Sequence, residues 1–254
     1  MSNFFDISGK IALVTGSSQG LGLTLARGLA RAGCKVVLNG RIKTKLDAAI
    51  DSLRKEGLLA YESAFDITNE DEVDKQVDSI EGEIGPIAIL VNNAGIQIRS
   101  PLEKFALSDW QKIIDVNLTG TFIVSKAVSK YMIKREGGKI INICSVQSEL
   151  ARPSIAPYTA SKGGLRNLTR GMATDWGKYN IQVNGIAPGY FKTEMTKALY
   201  EDEKFDTWLR SRTPANRWGD PEELIGALIF LSSIASNYVN GQLVYVDGGM
   251  TACV

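Results

Sequence analysis

The sequence predicts a single doubly wound α/β domain. Short apolar runs typical of buried parallel strands alternate with amphipathic helical patterns along all 254 residues. Seven strand segments are present, and no linker, internal repeat or low-complexity tract separates them. A glycine-rich turn directly follows the first strand. Together these observations predict one domain over residues 1–254, a seven-stranded parallel sheet with helices on both faces.

The composition excludes several classes of function. Hydrophobic residues make up 44% of the chain and charged residues 22%, as in ordinary globular proteins. The net charge of +1 gives no electrostatic reason to expect nucleic acid or an anionic membrane as partner. No apolar run approaches the roughly 18 residues of a membrane span, and Asp6 interrupts the apolar start before a secretion signal can form. We therefore predict a cytoplasmic protein.

Cysteine and histidine usage narrows the chemistry. Cys34, Cys144 and Cys253 are odd in number and far apart, which predicts neither a disulfide framework nor a zinc cluster. The chain contains no histidine, so His-dependent triads and His-ligated metals are excluded. We predict no metal site, and any general base must be Tyr, Lys, Asp, Glu or Cys.

The first strand, residues 10–15, runs into a turn with the spacing G-x-x-x-G-x-G and then a helix that ends near Gly33. In a strand–turn–helix context, such glycines let a pyrophosphate approach the backbone N–H groups at the helix N-terminus. A glycine turn without a ligand is the alternative. The predicted cofactor contacts in this turn are Gly16, Ser18, Gln19, Gly20 and Leu21.

The second strand, residues 35–39, is followed by Gly40 and Arg41 and by no acidic residue. An acid at this position binds the adenosine ribose of NAD, whereas an arginine suits the 2′-phosphate of NADP. We predict NADP as the cofactor and Arg41 as a ligand of its phosphate. NAD remains possible, because Arg41 is also a plausible solvated start of the next helix.

The third and fourth strands, residues 59–65 and 87–91, also end in candidate site residues. Open α/β sheets bind ligands at the carboxyl ends of their strands. Asp66 is an alternative cap for the following helix, although the spacing favours Asn69 for that role. The residues expected to contact the cofactor here are Asp66, Ile67, Asn93, Ala94 and Gly95.

A long helix is predicted after the fourth strand, with Ser108 as its N-cap and Asn117 in its interior. Asparagine is unfavourable within a helix because its side chain competes for backbone hydrogen bonds. Asn117 therefore marks either a local kink or a functional amide.

The stretch from residue 140 to residue 162 carries the strongest candidates for chemistry. A buried strand leads to Ser145, and a helix opens near Pro157 with Tyr158 and Lys162 on one face, four residues apart. An ammonium held ~4 Å from the phenol would lower the pKa of Tyr158 by up to about three units. That change suits acid–base chemistry at neutral pH. An ordinary pair on the helix surface is the alternative interpretation.

The C-terminal third completes the predicted site. A sixth strand, residues 181–186, leads to Pro188 and Gly189, and the seventh spans residues 243–246. Residues 190–218 form a longer and more charged connection than usual, which predicts a lid over the site.

Two arginines near the expected pocket predict a polar, anionic substrate. Arg99 follows the fourth strand, and Arg152 lies between Ser145 and Tyr158. Arginine binds carboxylates through a bidentate fork, and Gln147 and Glu149 are suited to sugar hydroxyls. The alternative is that either arginine is a solvated loop charge.

Taken in order, these signatures resemble the short-chain dehydrogenase/reductase family from end to end. The resemblance implies a Rossmann domain, a nicotinamide cofactor and commonly a homotetramer. Many NADP-dependent relatives carry a basic residue where this chain has Gln19, which leaves Arg41 as the main phosphate ligand. The matching residues are Thr15, Gly16, Gly20, Gly22, Asn92, Asn93, Ala94, Gly95, Asn117, Ser145, Tyr158, Lys162, Pro188 and Gly189.

The same resemblance implies roles for individual residues. Tyr158 would be the acid/base on the substrate oxygen, and Ser145 would hydrogen-bond that oxygen. Lys162 would lower the pKa of Tyr158 and hold the nicotinamide ribose, while Asn117 would anchor a water of a proton relay. Thr193 would contact the nicotinamide side and Asp66 the adenine.

The chain is closest in these motifs to members that act on keto-sugar acids, which implies reversible hydride transfer between NADP(H) and a sugar acid. The expected substrate contacts are Arg99, Ser145, Gln147, Arg152 and Tyr158. Another ketone reductase, such as one that acts on 3-oxoacyl thioesters, is the nearest alternative. A non-catalytic nucleotide sensor on the same fold is less favoured, because no catalytic residue is missing.

Overall fold

A computed structural model describes residues 3–253 and contains one sheet of seven parallel strands in the order β3-β2-β1-β4-β5-β6-β7. The predicted fold class is confirmed, and the strand ends agree with the predicted ones to within two residues. The strands are β1 Ile11–Val14, β2 Lys35–Gly40, β3 Ala60–Ala64, β4 Ile87–Asn92, β5 Gly138–Ile143, β6 Ile181–Pro188 and β7 Leu243–Val246.

Helices cover both faces of the sheet because alternate strand residues point to opposite sides. Ala12 and Val14 of β1 pack in one hydrophobic layer, and Ile11 and Leu13 pack in the other. No helix within residues 3–253 is long and apolar enough to cross a membrane. The helices are α1 Gly20–Arg31, α2 Lys43–Lys55, α3 Glu70–Ser79, α4 Leu107–Ile114, α5 Gly120–Lys134, α6 Ala156–Trp176, α7 Lys197–Tyr200, α8 Glu203–Arg212 and α9 Ile225–Ser232.

The strand order reverses direction between β1 and β4, the strands from which the two halves of the sheet extend. Loops after neighbouring strands diverge at such a point, so a crevice opens at the carboxyl edge. The glycine turn after β1 and the Asn-Asn-Ala-Gly segment after β4 flank this crevice. The topology therefore brings the predicted cofactor residues together.

The helix ends test two predicted caps. Asn69 caps α3 as predicted, since its side chain accepts a hydrogen bond from the Glu72 N–H at 3.3 Å. The prediction of Ser108 as a cap is wrong: α4 begins at Leu107 after Ala106, and no side chain caps it. At its other end α4 continues through a π-helical turn at Asp115–Thr119 into α5.

Lys139 is a buried lysine at the edge of the sheet opposite the crevice, and its amine donates to Ser236 Oγ and Asn237 Oδ1. Burial, followed by repulsion from Lys10, lowers its pKa to about 8. Below that pH the amine is protonated in both the folded and unfolded states, and the buried charge destabilises the folded state. At higher pH, up to the unfolded value of roughly 10.5, only the unfolded chain keeps the proton, so stability rises with pH.

We therefore expect the difference in unfolding free energy, wild type minus Lys139→Met, to increase by about 2 kcal/mol between pH 7 and pH 10. Urea unfolding of both proteins at the two pH values measures the difference. Lys112→Met, which changes an exposed lysine, is the control. A difference that does not change with pH would show that Lys139 keeps its proton in the fold.

Candidate active site

The principal cavity, about 540 Å³, lies at the carboxyl edge of the sheet. Every predicted cofactor and substrate residue except Arg99 lines it, from the glycine turn to Thr193. Asn117 lies behind the cavity wall and is fully buried. Arg99 is an exposed residue on the loop that carries Ile96 and Gln97 to the cavity rim.

The glycine turn is packed against the end of β4. A Cβ on Gly16, whose φ is +61°, would lie 2.7 Å from Ala94 Cα, so only glycine fits this approach. The Asn93 amide donates to the carbonyls of Thr15 and Gly16 at 3.0 and 3.1 Å, which fixes the turn. No side chain caps α1 at Gln19, so its first N–H groups remain available to a pyrophosphate.

Two cations stand at the adenosine end of the cavity. Arg41 Nη1 lies 3.4 Å from Asp66 Oδ2, and Lys45 Nζ donates to Gln19 Oε1 at 3.1 Å. The prediction named Arg41 and missed Lys45, although Lys45 is one helical turn beyond Arg41 in the sequence. Both are exposed. A 2′-phosphate fits this pair of cations, because both side chains bring positive charge to the cavity.

Asp66 is an acceptor within the turn after β3 and does not cap α3. Its Oδ1 accepts from the N–H and the hydroxyl of Thr68 at 2.9 and 2.8 Å. Burial raises the pKa of this carboxyl, but the Thr68 hydrogen bonds and the Arg41 charge outweigh burial and hold the pKa below its usual range. Asp66 is therefore ionised at neutral pH.

Asn117 lies in the π-helical turn between α4 and α5. Its Oδ1 accepts from the Ile96 N–H at 2.8 Å, and its Nδ2 donates to the Ile96 carbonyl and to Ser161 Oγ at 3.0 Å each. The predicted local irregularity is therefore present as the π-turn, and a functional role of the amide stays a prediction, in keeping with the frequent occurrence of π-turns at functional sites. The side chain joins the loop after β4 to α6, the helix that carries Tyr158.

Lys162 is 4% exposed, and its Nζ donates to the Ile143 carbonyl at 2.7 Å. The same nitrogen lies 5.7 Å from the centre of the Tyr158 ring. The two side chains therefore share one face, as predicted from their spacing. Burial lowers the pKa of Lys162 to about 8, so the amine loses its proton just above neutral pH.

The predicted lowering of the Tyr158 pKa is wrong for this structure. Burial raises that pKa to about 12, and a hydrogen bond with Ser145 only partly opposes the rise. Lys162 does not reverse it because its amine is directed to the Ile143 carbonyl. Tyr158 consequently holds its proton at neutral pH. The Ser145 hydroxyl also accepts from the Gln147 N–H at 3.1 Å, which fixes its position beside the phenol.

Two arginines approach the substrate end of the cavity. Ser100 N–H donates to the Ser154 carbonyl at 3.1 Å, so the loops that carry Arg99 and Arg152 are joined. Burial and then repulsion from Arg152 lower the pKa of Arg99. Neither arginine pairs with a carboxylate anywhere in residues 3–253. Arg152 therefore brings to the cavity wall a positive charge that has no carboxylate partner in residues 3–253.

The two polar residues predicted to serve sugar hydroxyls have different positions. Gln147 lines the cavity and is 7% exposed, with its Oε1 lacking a hydrogen-bond partner. Glu149 does not line the cavity, because it forms an ion pair with Arg166 of α6. The role predicted for Glu149 is therefore wrong. Sequence spacing could not reveal Arg166 as its partner, 17 residues away.

The segment 190–218 contains α7 and α8, and only its first part, residues 190–199, lines the cavity. Its wall residues are mostly apolar or small, and Tyr190 and Phe205 near Arg152 were not predicted as site residues. Tyr190 follows Pro188-Gly189 directly, which was the available signal. The residues of this segment that line the cavity are Tyr190, Phe191, Thr193, Glu194, Met195, Thr196 and Leu199.

Comparison with known proteins agrees with this geometry. The family model described as short chain dehydrogenase matches residues 10–204. Gluconate 5-dehydrogenase of Gluconobacter oxydans (strain 621H) is 58% identical over 249 residues, which are 98% of this chain and 97% of that protein. The 5-keto-D-gluconate 5-reductase of Escherichia coli (strain K12) is 54% identical over 100% of both chains.

A solved structure is similarly close. The gluconate 5-dehydrogenase from Burkholderia cenocepacia J2315, in complex with NADP and tartrate, superimposes with a TM-score of 0.96. It is 54% identical, over 99% of this chain and 98% of that one.

Proposed function

Because this chain belongs to the short-chain dehydrogenase family, we propose that it is an oxidoreductase that transfers a hydride reversibly between NADP(H) and C5 of D-gluconate or 5-keto-D-gluconate. The observation that carries the proposal is Arg152, which lines the cavity together with Tyr158 and Ser145 and has no carboxylate partner in residues 3–253, with the exposed Arg99 close to it. A keto-aldonic acid offers both groups that this arrangement recognises, a carboxylate for the arginines and a ketone for the phenol.

The side chains have separate tasks in the proposed reaction. The bound nicotinamide supplies the hydride in reduction and accepts it in oxidation. In reduction, the Tyr158 hydroxyl gives its proton to the C5 oxygen, and the product is the C5 alcohol. Ser145 donates a hydrogen bond to the same oxygen, and Lys162 stabilises the phenolate that Tyr158 leaves behind. Asn117 holds the loop after β4 against α6, and its predicted anchoring of a relay water remains part of the proposal.

The decisive assay is NADPH oxidation with 5-keto-D-gluconate, run beside an acetoacetyl thioester and beside NADH. We expect turnover with the keto acid and NADPH. Preferential turnover of the thioester would support the alternative ketone reductase, and no turnover with any substrate would support a nucleotide sensor. The unpaired arginines favour the acid, and the presence of both Tyr158 and Lys162 favours an enzyme.

Cofactor preference is expected to depend on the cations after β2. Arg41→Ala combined with Lys45→Ala should raise the KM for NADPH about 10- to 100-fold and leave the KM for NADH nearly unchanged, because only NADPH carries the 2′-phosphate. Initial rates with both cofactors measure the change. The control is Lys43→Ala, a nearby lysine that pairs with Asp47 and Glu62. An equal rise in the KM for NADH would show that these cations do not bind the 2′-phosphate.

We further propose a homotetramer in the cytoplasm, with residues 190–218 acting as a lid. Large apolar side chains remain exposed on the α4–α5 helix, which supports an oligomer: Leu107 is 80% exposed and Phe122 46%. Sedimentation equilibrium of the purified protein tests the tetramer, and a monomer at micromolar concentration would contradict it.

A further inference from the structure

Arg152 is held by aromatic residues of the segment 190–218. Its guanidinium carbon lies 5.3 Å from the centre of the Phe205 ring, which α8 carries. The Tyr190 phenol also lies close to this arginine, since the Arg152 charge opposes the rise that burial causes in the pKa of Tyr190. A cation over an aromatic face is attracted by the ring quadrupole, and more strongly where water is excluded.

The aromatic rings are themselves fixed by an aromatic cluster, defined as Tyr190, Tyr200, Phe205, Trp208 and Trp218. The Phe205 ring centre lies 5.5 Å from that of Tyr190 and 5.1 Å from that of Trp208. Trp218 is 4% exposed and packs edge-on to Tyr190, with ring centres 5.8 Å apart. Its indole N–H donates to Asp206 of α8 at 2.6 Å. The face on which Arg152 stacks therefore belongs to a packed layer.

Arg152 needs these contacts because its charge has no carboxylate partner among the described residues. An unpaired arginine gains hydration when its long side chain moves into solvent. Arg152 instead remains at the cavity wall, with its Nε buried and without a hydrogen-bond partner, and with the Arg99 cation nearby. Stacking on Phe205 and the neighbouring Tyr190 phenol therefore hold the guanidinium at the wall against repulsion from Arg99 and against movement into solvent.

We propose that Phe205 and Tyr190 are positioning residues that hold the Arg152 guanidinium for the carboxylate of the substrate. The inference rests on the proposed function and adds to it a determinant of specificity: the aromatic face, carried by the lid segment, makes the enzyme selective for acids. Because α8 carries Phe205, the same contact also joins α8 to the loop between β5 and α6.

Steady-state kinetics of Phe205→Leu test the proposal. The leucine keeps an apolar side chain and removes the ring, so the KM for 5-keto-D-gluconate should rise about tenfold while kcat changes less than twofold. Phe205→Tyr should restore the wild-type KM. Phe5→Leu, which changes an exposed phenylalanine outside the site, is the matched control. An unchanged KM, or a fall in kcat that Phe205→Tyr does not rescue, would overturn the proposal.

A double-mutant cycle distinguishes an effect of Phe205 that acts through Arg152 from an effect on the structure in general. In an Arg152→Met background, Phe205→Leu should have no further effect on KM; a second, independent tenfold rise would overturn the proposal. Calorimetric titration of D-gluconate into the NADPH-loaded protein should show the same tenfold loss of affinity in Phe205→Leu without any turnover. Failure of wild type to bind or convert these acids would instead refute the proposed function. The inference about Phe205 concerns only how much KM and affinity change from wild type to variant.

Discussion

Replacement of Tyr158 by phenylalanine is expected to lower kcat at least about a thousandfold, within the range of general acid–base contributions. The change keeps the ring against Lys162 and removes only the proton donor. Because the pKa of Tyr158 is raised to about 12, the hydroxyl is protonated at neutral pH and is suited to donate to a ketone oxygen. NADPH oxidation with 5-keto-D-gluconate measures the loss.

Fluorescence titration should show that Tyr158→Phe binds NADPH within about twofold of wild type, since the hydroxyl contributes little to cofactor affinity. The control is Tyr131→Phe, which removes a surface hydroxyl that donates to Asp78 at 2.7 Å. Retained turnover in Tyr158→Phe would refute the proposed proton transfer.

Replacement of Lys162 by methionine is expected to lower kcat/KM about a hundredfold at pH 7. Lys162 Nζ lies 5.7 Å from the centre of the Tyr158 ring, and a unit charge about 6 Å from a phenolate stabilises it by roughly 3 kcal/mol at an effective dielectric of 20, which corresponds to that factor. Methionine has similar length and fills the same buried space without the charge. Surface residue Lys126, paired with Glu70, provides the control variant Lys126→Met.

The advantage of wild type over Lys162→Met should shrink as pH rises. The pKa of Lys162 is lowered to about 8, so wild type carries the ammonium at pH 7 and has lost most of it at pH 9. The ratio of the two kcat/KM values, measured over that range, tests this expectation. A constant ratio would mean that the amine acts through its hydrogen bond to Ile143 and not through its charge.

The sequence alone determined the fold class and most of the predicted cofactor residues that line the cavity. Buried parallel strands need continuous apolar runs, and a backbone that approaches another chain segment closely needs glycine, as Gly16 does against Ala94. Both requirements act over a few residues and are therefore visible in local patterns. The i to i+4 spacing likewise placed Tyr158 and Lys162 on one face of α6.

Only the tertiary structure decided which charges are paired and which are buried. Glu149 is paired with Arg166, Lys45 lines the cavity together with Arg41, and Arg152 stacks on Phe205 of a distant helix. Burial also raises the pKa of Tyr158, where the spacing to Lys162 predicted a lower value. The physical reason is common to all four. Desolvation and ion pairing depend on atoms brought together by the fold, often from far along the chain, whereas sequence periodicity reports only the face of an element on which a side chain lies.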